Sequence, residues 1–182
     1  MRTGRVRRCA ALVVLASLAA GCEFLGLTKK EPVPPCPPVF VLKDAGALTR
    51  YQPGTGRDIT DLDFQAQITD FRGVCDYNKT RTQVDISLDI AFSVTRGPAN
   101  RDRGARFAYF VAIPHFHPAP EGKNTFEMAG TFPENESRLG LTDQVRLRIP
   151  LGQKPRLEDY TIYLGFQLTR EELEENRRRD RP

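Results

Sequence analysis

The chain of 182 residues contains no tryptophan, two histidines and four cysteines. The missing tryptophan excludes the buried Trp that marks true immunoglobulin domains. No Cys-x-x-Cys pair occurs, so the spacing typical of structural zinc sites and thiol oxidoreductases is also missing. Apolar runs are short, and none reaches the roughly 20 residues that a membrane-spanning helix needs.

Recognisable catalytic motifs are missing too. After residue 21 only three serines remain, Ser87, Ser93 and Ser137, and none lies in a G-x-S-x-G sequence. The sequence "GTG" at Gly54 lacks the strand–turn–helix setting of a nucleotide-binding loop. We therefore expect a protein that is not an enzyme and that uses no cofactor.

What is present begins with a secretory leader. Four arginines lie within the first eight residues, and the apolar run "CAALVVLASLAA" follows from Cys9 to Ala20. A basic start, a short apolar core and small residues before a cleavage point are the layout of a signal peptide. We predict a signal peptide over residues 1–21.

The sequence "LAAGC", Leu18 to Cys22, resembles the lipobox of bacterial lipoproteins. The resemblance implies that the thiol of Cys22 carries a fatty acyl chain such as palmitate and that the mature chain begins there. Beyond this motif the chain is similar to uncharacterised small envelope lipoproteins of alphaproteobacteria, which implies no activity. The expected location is the periplasmic face of the outer membrane, and Glu23, directly after the cysteine, keeps the inner membrane as the alternative. An ordinary signal peptide with an accidental cysteine is the other interpretation.

The net charge depends on the leader. The whole chain has 27 basic and 23 acidic side chains, a formal charge of +4, and the four arginines of residues 1–21 account for all of the excess. A neutral, exported chain gives no electrostatic reason to expect nucleic acid as a partner. We expect the partners to be the membrane, through the N-terminal lipid, and an envelope protein or polymer.

Two cysteines remain after the leader and Cys22, namely Cys36 and Cys75. An even remainder in an exported chain predicts a disulfide, because the periplasm is oxidising. A metal pair or a catalytic thiol is the alternative. Five prolines surround Cys36 within seven residues and predict an extended, stiff segment. We assign residues 22–38 to a lipidated, Pro-rich spacer whose far end the disulfide fastens.

Residues 39–168 alternate between apolar and polar side chains nearly everywhere. In the clearest case, "QVDISLDIAFSVT", every second residue from Val84 to Val94 is apolar. Strict alternation predicts strands with one face on a core and one in water. Further strands are predicted at residues 39–42, 62–68, 105–113, 124–132, 144–151 and 160–168. No helical pattern separates them, so we predict an all-β, antiparallel β-sandwich of about seven strands, immunoglobulin-like in the broad sense, with a small β-barrel as the alternative.

The connectors and the C-terminus are polar. The sequence "RGPANRDRG", Arg96 to Gly104, is predicted to join two strands as a hairpin. Four arginines surround it and are a weak indication of an anion-binding edge: Arg96, Arg101, Arg103 and Arg106. Thr169 and Glu172 match a capping box, so residues 169–182 are predicted to form a short helix with a basic tail.

The two histidines form the only metal-like motif. In "HFH", His115 and His117 would share one face of a strand and reach a single metal ion. No third ligand is evident, and flanking prolines favour a strand end or loop, so we expect no metal site.

One strand departs from the alternation. In "RFAYFVAIPHFHP", one face is apolar as usual, but Ala108, Phe110 and Ala112 make the second face apolar too. A strand of a two-layer sandwich needs only one buried face. We expect this face either to be covered internally, by the Pro-rich segment or the C-terminal helix, or to be an interface at which Phe110 and Phe116 contact a partner.

These observations leave three function classes. We predict a membrane-anchored periplasmic lipoprotein whose β-domain binds a protein or envelope polymer as a structural or assembly accessory. A carrier of a small ligand or lipid is the first alternative and needs an apolar cavity inside the domain. An enzyme of unknown type is the second alternative and needs a cleft with converging titratable groups.

Overall fold

The structure, a computed structural model, describes residues 32–54, 56–153 and 155–179. The predicted signal peptide, Cys22 and the first part of the predicted spacer lie outside the described residues. From Pro34 onward the chain forms one unit by its internal contacts.

Eight strands and one α-helix make up the described fold. In chain order they are β1 (Val39–Val41), β2 (Ala47–Tyr51), β3 (Leu62–Tyr77), β4 (Gln83–Arg96), β5 (Gly104–Ala112), β6 (Lys123–Thr131), β7 (Arg138–Pro150), β8 (Ile162–Phe166) and α1 (Arg170–Arg179). Sheet A has the strand order β1-β8-β5-β6, and sheet B has the order β2-β3-β4-β7. Neighbouring strands are antiparallel except β1 and β8. The predicted all-β sandwich is confirmed, with eight strands instead of seven, and the barrel alternative is wrong because the described strands form two separate sheets.

The core between the sheets follows from the alternation. Every second residue of β4, from Val84 to Val94, is buried. The ring centroid of Phe92 lies 5.4 Å from that of Phe107, 5.0 Å from that of Tyr109 and 5.9 Å from that of Phe166. These tilted aromatic contacts join the two sheets and fill the space between them.

Halfway along β3, the side chains that face the core change from the even-numbered to the odd-numbered residues. Ile68 and Asp70 pair with consecutive residues of β4, so Thr69 is an extra residue in the ladder. This β-bulge places two successive residues on the outer face, and from there odd-numbered instead of even-numbered residues point inward. The apolar alternation therefore stops at Ile68, and the sequence predicts only residues 62–68 of a strand that continues to Tyr77.

The sequence also misses β2 and the first half of β7. β2 is short, and Leu48 and Thr49 are both buried, so no alternation marks it. In β7 the inward-facing position 143 is an aspartate, which interrupts the apolar pattern ahead of Val145. In both strands the apolar–polar alternation is broken because a polar residue, Thr49 in β2 or Asp143 in β7, occupies a position enclosed by the rest of the fold.

The prediction of a hairpin from Arg96 to Gly104 is wrong. β4 lies in sheet B and β5 in sheet A, so this connector crosses from one sheet to the other. Gly97 permits the close approach, because a Cβ there would overlap the carbonyl oxygen of Leu62. The buried Asn100 holds the connector by donating from Nδ2 to the Gly104 carbonyl at 2.7 Å. A polar composition predicts a turn but does not say which strands the turn joins.

Helix α1 begins at the predicted capping box. The Thr169 amide donates to Glu172 Oε2 at 2.8 Å, and the Glu172 amide donates to Thr169 Oγ1 at 3.2 Å. The helix contacts β2 and the 3-10 turn Lys43–Ala45, and Asn176 donates from Nδ2 to the carbonyl oxygens of Asp44 in the turn and Ala47 in β2 at 2.9 and 2.7 Å. Covering a strand edge in this way removes a site for unwanted pairing.

Candidate functional site

The outer face of sheet B is polar and ion-paired. Arg148 Nε lies 3.0 Å from Asp85 Oδ1 across the β4–β7 pair. On the same two strands, Gln144 donates from Nε2 to Asp89 Oδ1 at 2.8 Å. Cross-strand pairs of this kind are typical of a sheet face that stays in water.

The outer face of sheet A is apolar where β1, β8 and the second half of β5 lie side by side. Phe40 on β1 is 55% exposed, and its ring centroid lies 6.3 Å from that of Tyr163 on β8. On the other side of β8, Ala112 pairs with Tyr163, and Phe110 pairs with Gly165 two residues along. We call Phe40, Tyr163, Ala112 and Phe110 the apolar face. It crosses three neighbouring strands, and exposed apolar patches on a folded domain commonly mark interaction sites.

The side chain of Phe110 is half-buried, so one part of it is covered by the protein and the other part is open to a partner. A Cβ at position 165 would lie 2.9 Å from both the Phe110 ring and Ala45 Cβ. Because residue 165 is glycine, the Phe110 ring and the 3-10 turn Lys43–Ala45 can pack directly against the backbone of β8. Lys123 Nζ lies 4.4 Å from the centroid of the Phe110 ring. The cover thus comes partly from a turn that the sequence does not single out.

An open groove of about 490 Å³ runs beside Phe110. Apolar side chains from sheet A, the 3-10 turn and α1 line most of it: Leu42, Ala45, Phe110, Phe166, Leu168 and Leu173. Asp44 and Arg177 also line it and form an ion pair, with Arg177 Nε 2.8 Å from Asp44 Oδ2. Because the groove and the apolar face share Phe110, they form one continuous surface.

Phe116 and the two histidines lie elsewhere. His115 and Phe116 belong to the 3-10 turn Pro114–Phe116, and His117 follows it, so the histidines do not lie on a strand. The ring centroid of Tyr160 lies 4.5 Å from that of His115 and 5.9 Å from that of Phe116. None of the described ring contacts or groove linings brings Phe116 to Phe110. Within the described ranges, no group of three or more His, Cys, Asp or Glu side chains is arranged to hold a metal ion.

The arginines around the β4–β5 connector have separate roles. Arg96 donates to the carbonyl of Asn100 at 2.6 Å and so braces the connector itself. Arg103 lies 3.6 Å from Glu134, and Arg106 is on the outer face of β5. Because Arg96 braces the connector and Arg103 lies beside a carboxylate at the surface, the geometry gives the anion-binding edge no support.

The predicted disulfide is confirmed. Cys36 and Cys75 are bonded, with their Cα atoms 5.8 Å apart. Tyr77 donates from its hydroxyl to the Pro35 carbonyl at 2.6 Å, and burial raises the pKa of Tyr77. Cys75 and Tyr77 face inward only because the bulge at Thr69 has shifted the pattern of β3. The bulge therefore decides where the N-terminal segment is fastened.

A polar pair inside the sandwich was not predictable from the sequence. Tyr109 is fully buried, and its hydroxyl donates to Asp143 Oδ2 at 2.7 Å. The Asp143 Oδ1 atom accepts from the amide of Gln144 at 2.8 Å. Burial, and then the hydrogen bond and charge of Asp143, raise the pKa of Tyr109 well above its ordinary value of 10.0. The pair gives a buried hydroxyl its partner, and an inward charge on edge strand β7 disfavours pairing with another chain.

This pair predicts a loss of stability at alkaline pH. Above pH 10.0 the tyrosine of the unfolded chain ionises while Tyr109 of the folded chain keeps its proton. The unfolded state then releases protons that the folded state retains, so the free energy of unfolding falls as the pH rises further. In Tyr109→Phe we expect a weaker fall, and a cost of about 1–2 kcal/mol at neutral pH from the lost hydrogen bond. Urea unfolding between pH 7 and 11 measures both; an unchanged alkaline slope would show that other groups cause it.

Comparison of the chain with protein-family profiles, curated proteins and solved structures found no match. Among the helices of the described residues, none has the length and apolar character needed to cross a bilayer.

Proposed function

We propose that this chain is a lipid-anchored periplasmic protein of the outer membrane that binds another envelope protein and acts as a structural or assembly accessory rather than an enzyme. The contrast between the two outer sheet faces carries the proposal. One face has ion pairs such as Arg148 with Asp85, and the other has the exposed Phe40 beside the half-buried Tyr163.

The anchor in this proposal is an acylated Cys22. Residues 23–35 would link it to the folded unit, and at about 3.1 Å per residue in an extended, polyproline-like form they span at most roughly 40 Å. The domain end of this linker is firmly fixed, because Cys36 is bonded to Cys75 and Tyr77 holds the Pro35 carbonyl. A short linker fastened at its far end supports a role close to the membrane surface.

The chemistry of the apolar face supports a protein partner over an envelope polymer. Apolar protein segments are bound by burying aromatic and aliphatic surface, whereas a sugar stacked on an aromatic ring also needs several polar groups around it. The groove offers Leu42, Leu168 and Leu173 beside Phe110. These residues match a partner that inserts apolar side chains, with the Arg177–Asp44 pair as part of a polar rim.

Phe40→Asp tests the proposed interface. Because Phe40 is 55% exposed, the substitution should change the melting temperature by only a few degrees, on the order of 1 kcal/mol or less. Partner binding should however be abolished, because the carboxylate of the introduced aspartate would lose its hydration when the partner covers it. The measurement is in-cell crosslinking of the tagged protein followed by mass spectrometry.

Val74→Asp is the matched control. Val74 is 65% exposed and pairs with Ser87 on the outer face of sheet B. The same charge placed there should leave the crosslinked partners unchanged. If folded Phe40→Asp protein kept the wild-type crosslinks, the proposed interface would be wrong.

The carrier alternative finds less support in the packing. A carrier needs an apolar cavity, but Phe92, Phe107 and Tyr109 fill the region between the sheets with ring centroids 5.0–5.4 Å apart. The groove beside Phe110 is open to solvent, so it would not enclose a carried ligand, whereas a side chain of a partner protein can enter it.

A further inference from the structure

A polar cleft lies on the outer face of sheet B, where helix α1 stands beside the open part of the sheet. Side chains of β2, β3 and β4 form its floor, and Asn176 and Arg179 of α1 form one wall. We call this space the polar cleft. Its volume of about 280 Å³ is close to the lower end of the roughly 300–1,000 Å³ found for small-ligand sites, so it suits a single small polar molecule.

The described lining of the polar cleft has cations and neutral hydrogen-bonding groups but no carboxylate. The cations are Lys43 and Arg179. The neutral floor groups are hydroxyls and amides from neighbouring strands: Thr49, Gln65, Gln67, Ser93 and Thr95. Farther along the same sheet face the composition is different, because Asp85 pairs with Arg148 there. The charges around the polar cleft therefore favour a negatively charged ligand over a neutral or positive one.

Strand pairing holds the floor groups of the polar cleft at fixed positions. Thr49 pairs with Gln65 and Gln65 pairs with Thr95, so these side chains form one row across β2, β3 and β4. Gln67 and Ser93 pair in a second row. Among the described residues, the side chains of Gln67, Ser93 and Thr95 have no hydrogen-bond partner. The sheet thus offers donors and acceptors that the fold positions but does not itself use.

Thr49 is a buried hydroxyl whose proton lacks an acceptor within the described part of the chain. Only 7% of the residue is exposed, because α1 covers this part of β2. Its Oγ1 atom accepts from Arg179 Nη1 at 2.9 Å and from Gln65 Nε2 at 3.4 Å. A hydroxyl oxygen accepts two hydrogen bonds and donates one, so both acceptor positions are occupied and the donor is left over. A buried donor is costly unless a ligand or water accepts from it.

Arg179 is held beside this hydroxyl by three hydrogen bonds. Its Nε atom donates to Glu175 Oε1 at 3.1 Å, its Nη1 atom donates to Thr49, and its Nη2 atom donates to the Tyr51 hydroxyl at 3.1 Å. A guanidinium has five N–H groups, so these contacts leave two of them for a ligand. Glu175 also pairs with Arg178, and its charge is therefore shared between two arginines. A cation that is already in place costs little to order when a ligand binds.

We propose that the polar cleft binds a sugar acid, that is, a hydroxylated ring that bears a carboxylate. The carboxylate accepts hydrogen bonds from Arg179 and from the Thr49 hydroxyl, and such charge-assisted bonds are strong. A carboxylate only accepts, which is what these donors require, whereas sugar hydroxyls both donate and accept, which suits floor groups such as Gln67 and Ser93. This site lies on the other sheet from the apolar face and does not depend on the lipid anchor.

Galacturonate and its uncharged counterpart galactose test the proposal on the unaltered protein. Each sugar is titrated into the purified full chain in detergent, and NMR signals report where it binds. Galacturonate should bind at millimolar concentration and shift the signals of Thr49, Gln67 and Ser93. Galactose should bind about tenfold more weakly or not at all, because it lacks the charged acceptor. A short galacturonate oligomer distinguishes the two sources of such a ligand: an affinity more than about tenfold higher indicates a chain of sugar acids, and an equal affinity indicates a single one.

Two serines of β4 give a matched pair of variants. Ser93 lies in the polar cleft, Ser87 lies on the same sheet face outside it, and both are half-buried. Ser93→Asp places a carboxylate on the floor and should weaken galacturonate binding by about tenfold or more, because like charges repel. Ser87→Asp should change the affinity by less than about twofold. Thr49→Val removes the hydroxyl donor at similar volume and should weaken galacturonate binding by about tenfold.

Other results would overturn the proposal. No galacturonate binding at millimolar concentration, equal affinity for galactose, or signal shifts confined to residues outside the polar cleft would each exclude a sugar-acid site here. Equal effects of the two serine variants would exclude it as well. The comparison of galacturonate with galactose needs no substitution, so it stands even where Thr49→Val or Ser93→Asp fails to fold.

Discussion

Replacing Cys22 with serine is expected to move essentially all of the protein out of the membrane fraction. The proposed lipid is attached through the cysteine sulfur, which serine lacks, and each buried methylene of an acyl chain contributes about 0.8 kcal/mol to membrane binding. Loss of the chains removes the proposed attachment as a whole. Labelling with radioactive palmitate, followed by fractionation after a high-salt wash, measures both the modification and the location.

Cys9→Ser is the matched control, because Cys9 lies in the apolar run of the predicted leader and outside the lipobox. That variant should keep the label and the membrane location. Protein with Cys22→Ser that still sediments with membranes after the wash would contradict the lipoprotein assignment. It would leave the geometry of the apolar face unaffected.

Removing the disulfide is expected to produce the largest change in stability. Cys36 and Cys75 are 39 residues apart in the sequence, and opening a loop of this length costs about 4 kcal/mol on the chain-entropy estimate. That is a large share of the roughly 5–15 kcal/mol by which domains are stable. Cys75→Ser should therefore lower the melting temperature by on the order of 10–15 °C. Denaturant unfolding of the oxidised protein and the variant gives the free energies.

The second cysteine provides an internal check. Cys36→Ser removes the same bond and should lower the free energy of unfolding by a similar amount. The double variant should then have a free energy of unfolding within about 1 kcal/mol of that of either single variant. Losses that add up would mean that the two side chains contribute through packing and not through the bond. Tyr77→Phe removes only the hydrogen bond to the Pro35 carbonyl and should cost about 1 kcal/mol.

The candidate site was only partly predictable. The second apolar face of β5 was evident, because Phe110 and Ala112 occupy positions that a solvated strand face fills with polar residues. Phe40 and Tyr163 were not singled out, since β1 and β8 are short and each contributes a single outward ring, exposed for Phe40 and half-buried for Tyr163. These rings become a surface only when β1 pairs with β8 and β8 pairs with β5, which are contacts between segments more than 50 residues apart in the sequence.

The disulfide, too, was predicted by the sequence in its partners but not in the geometry that allows it to form. The oxidising compartment and the even number of cysteines were enough to predict the bond between Cys36 and Cys75. The geometry that permits it depends on one extra residue, Thr69, which turns the second half of β3 and brings Cys75 to the inner side. A bulge is stabilised by the partner strand and leaves little mark in the local sequence.

By itself, then, the sequence determined that this protein is built from strands, which residues of most strands face the core, where the helix begins and which cysteines are bonded. Alternation, capping and cysteine count are local or compositional properties, so they can be read without knowing what lies next to a segment. The tertiary structure alone decided the assignment of strands to the two sheets, the crossing of the β4–β5 connector and the merging of Phe40 and Phe110 into one surface. These features depend on which strand pairs with which, and backbone hydrogen bonds between strands are nearly independent of side-chain identity, so the choice is made by the packing of the whole core.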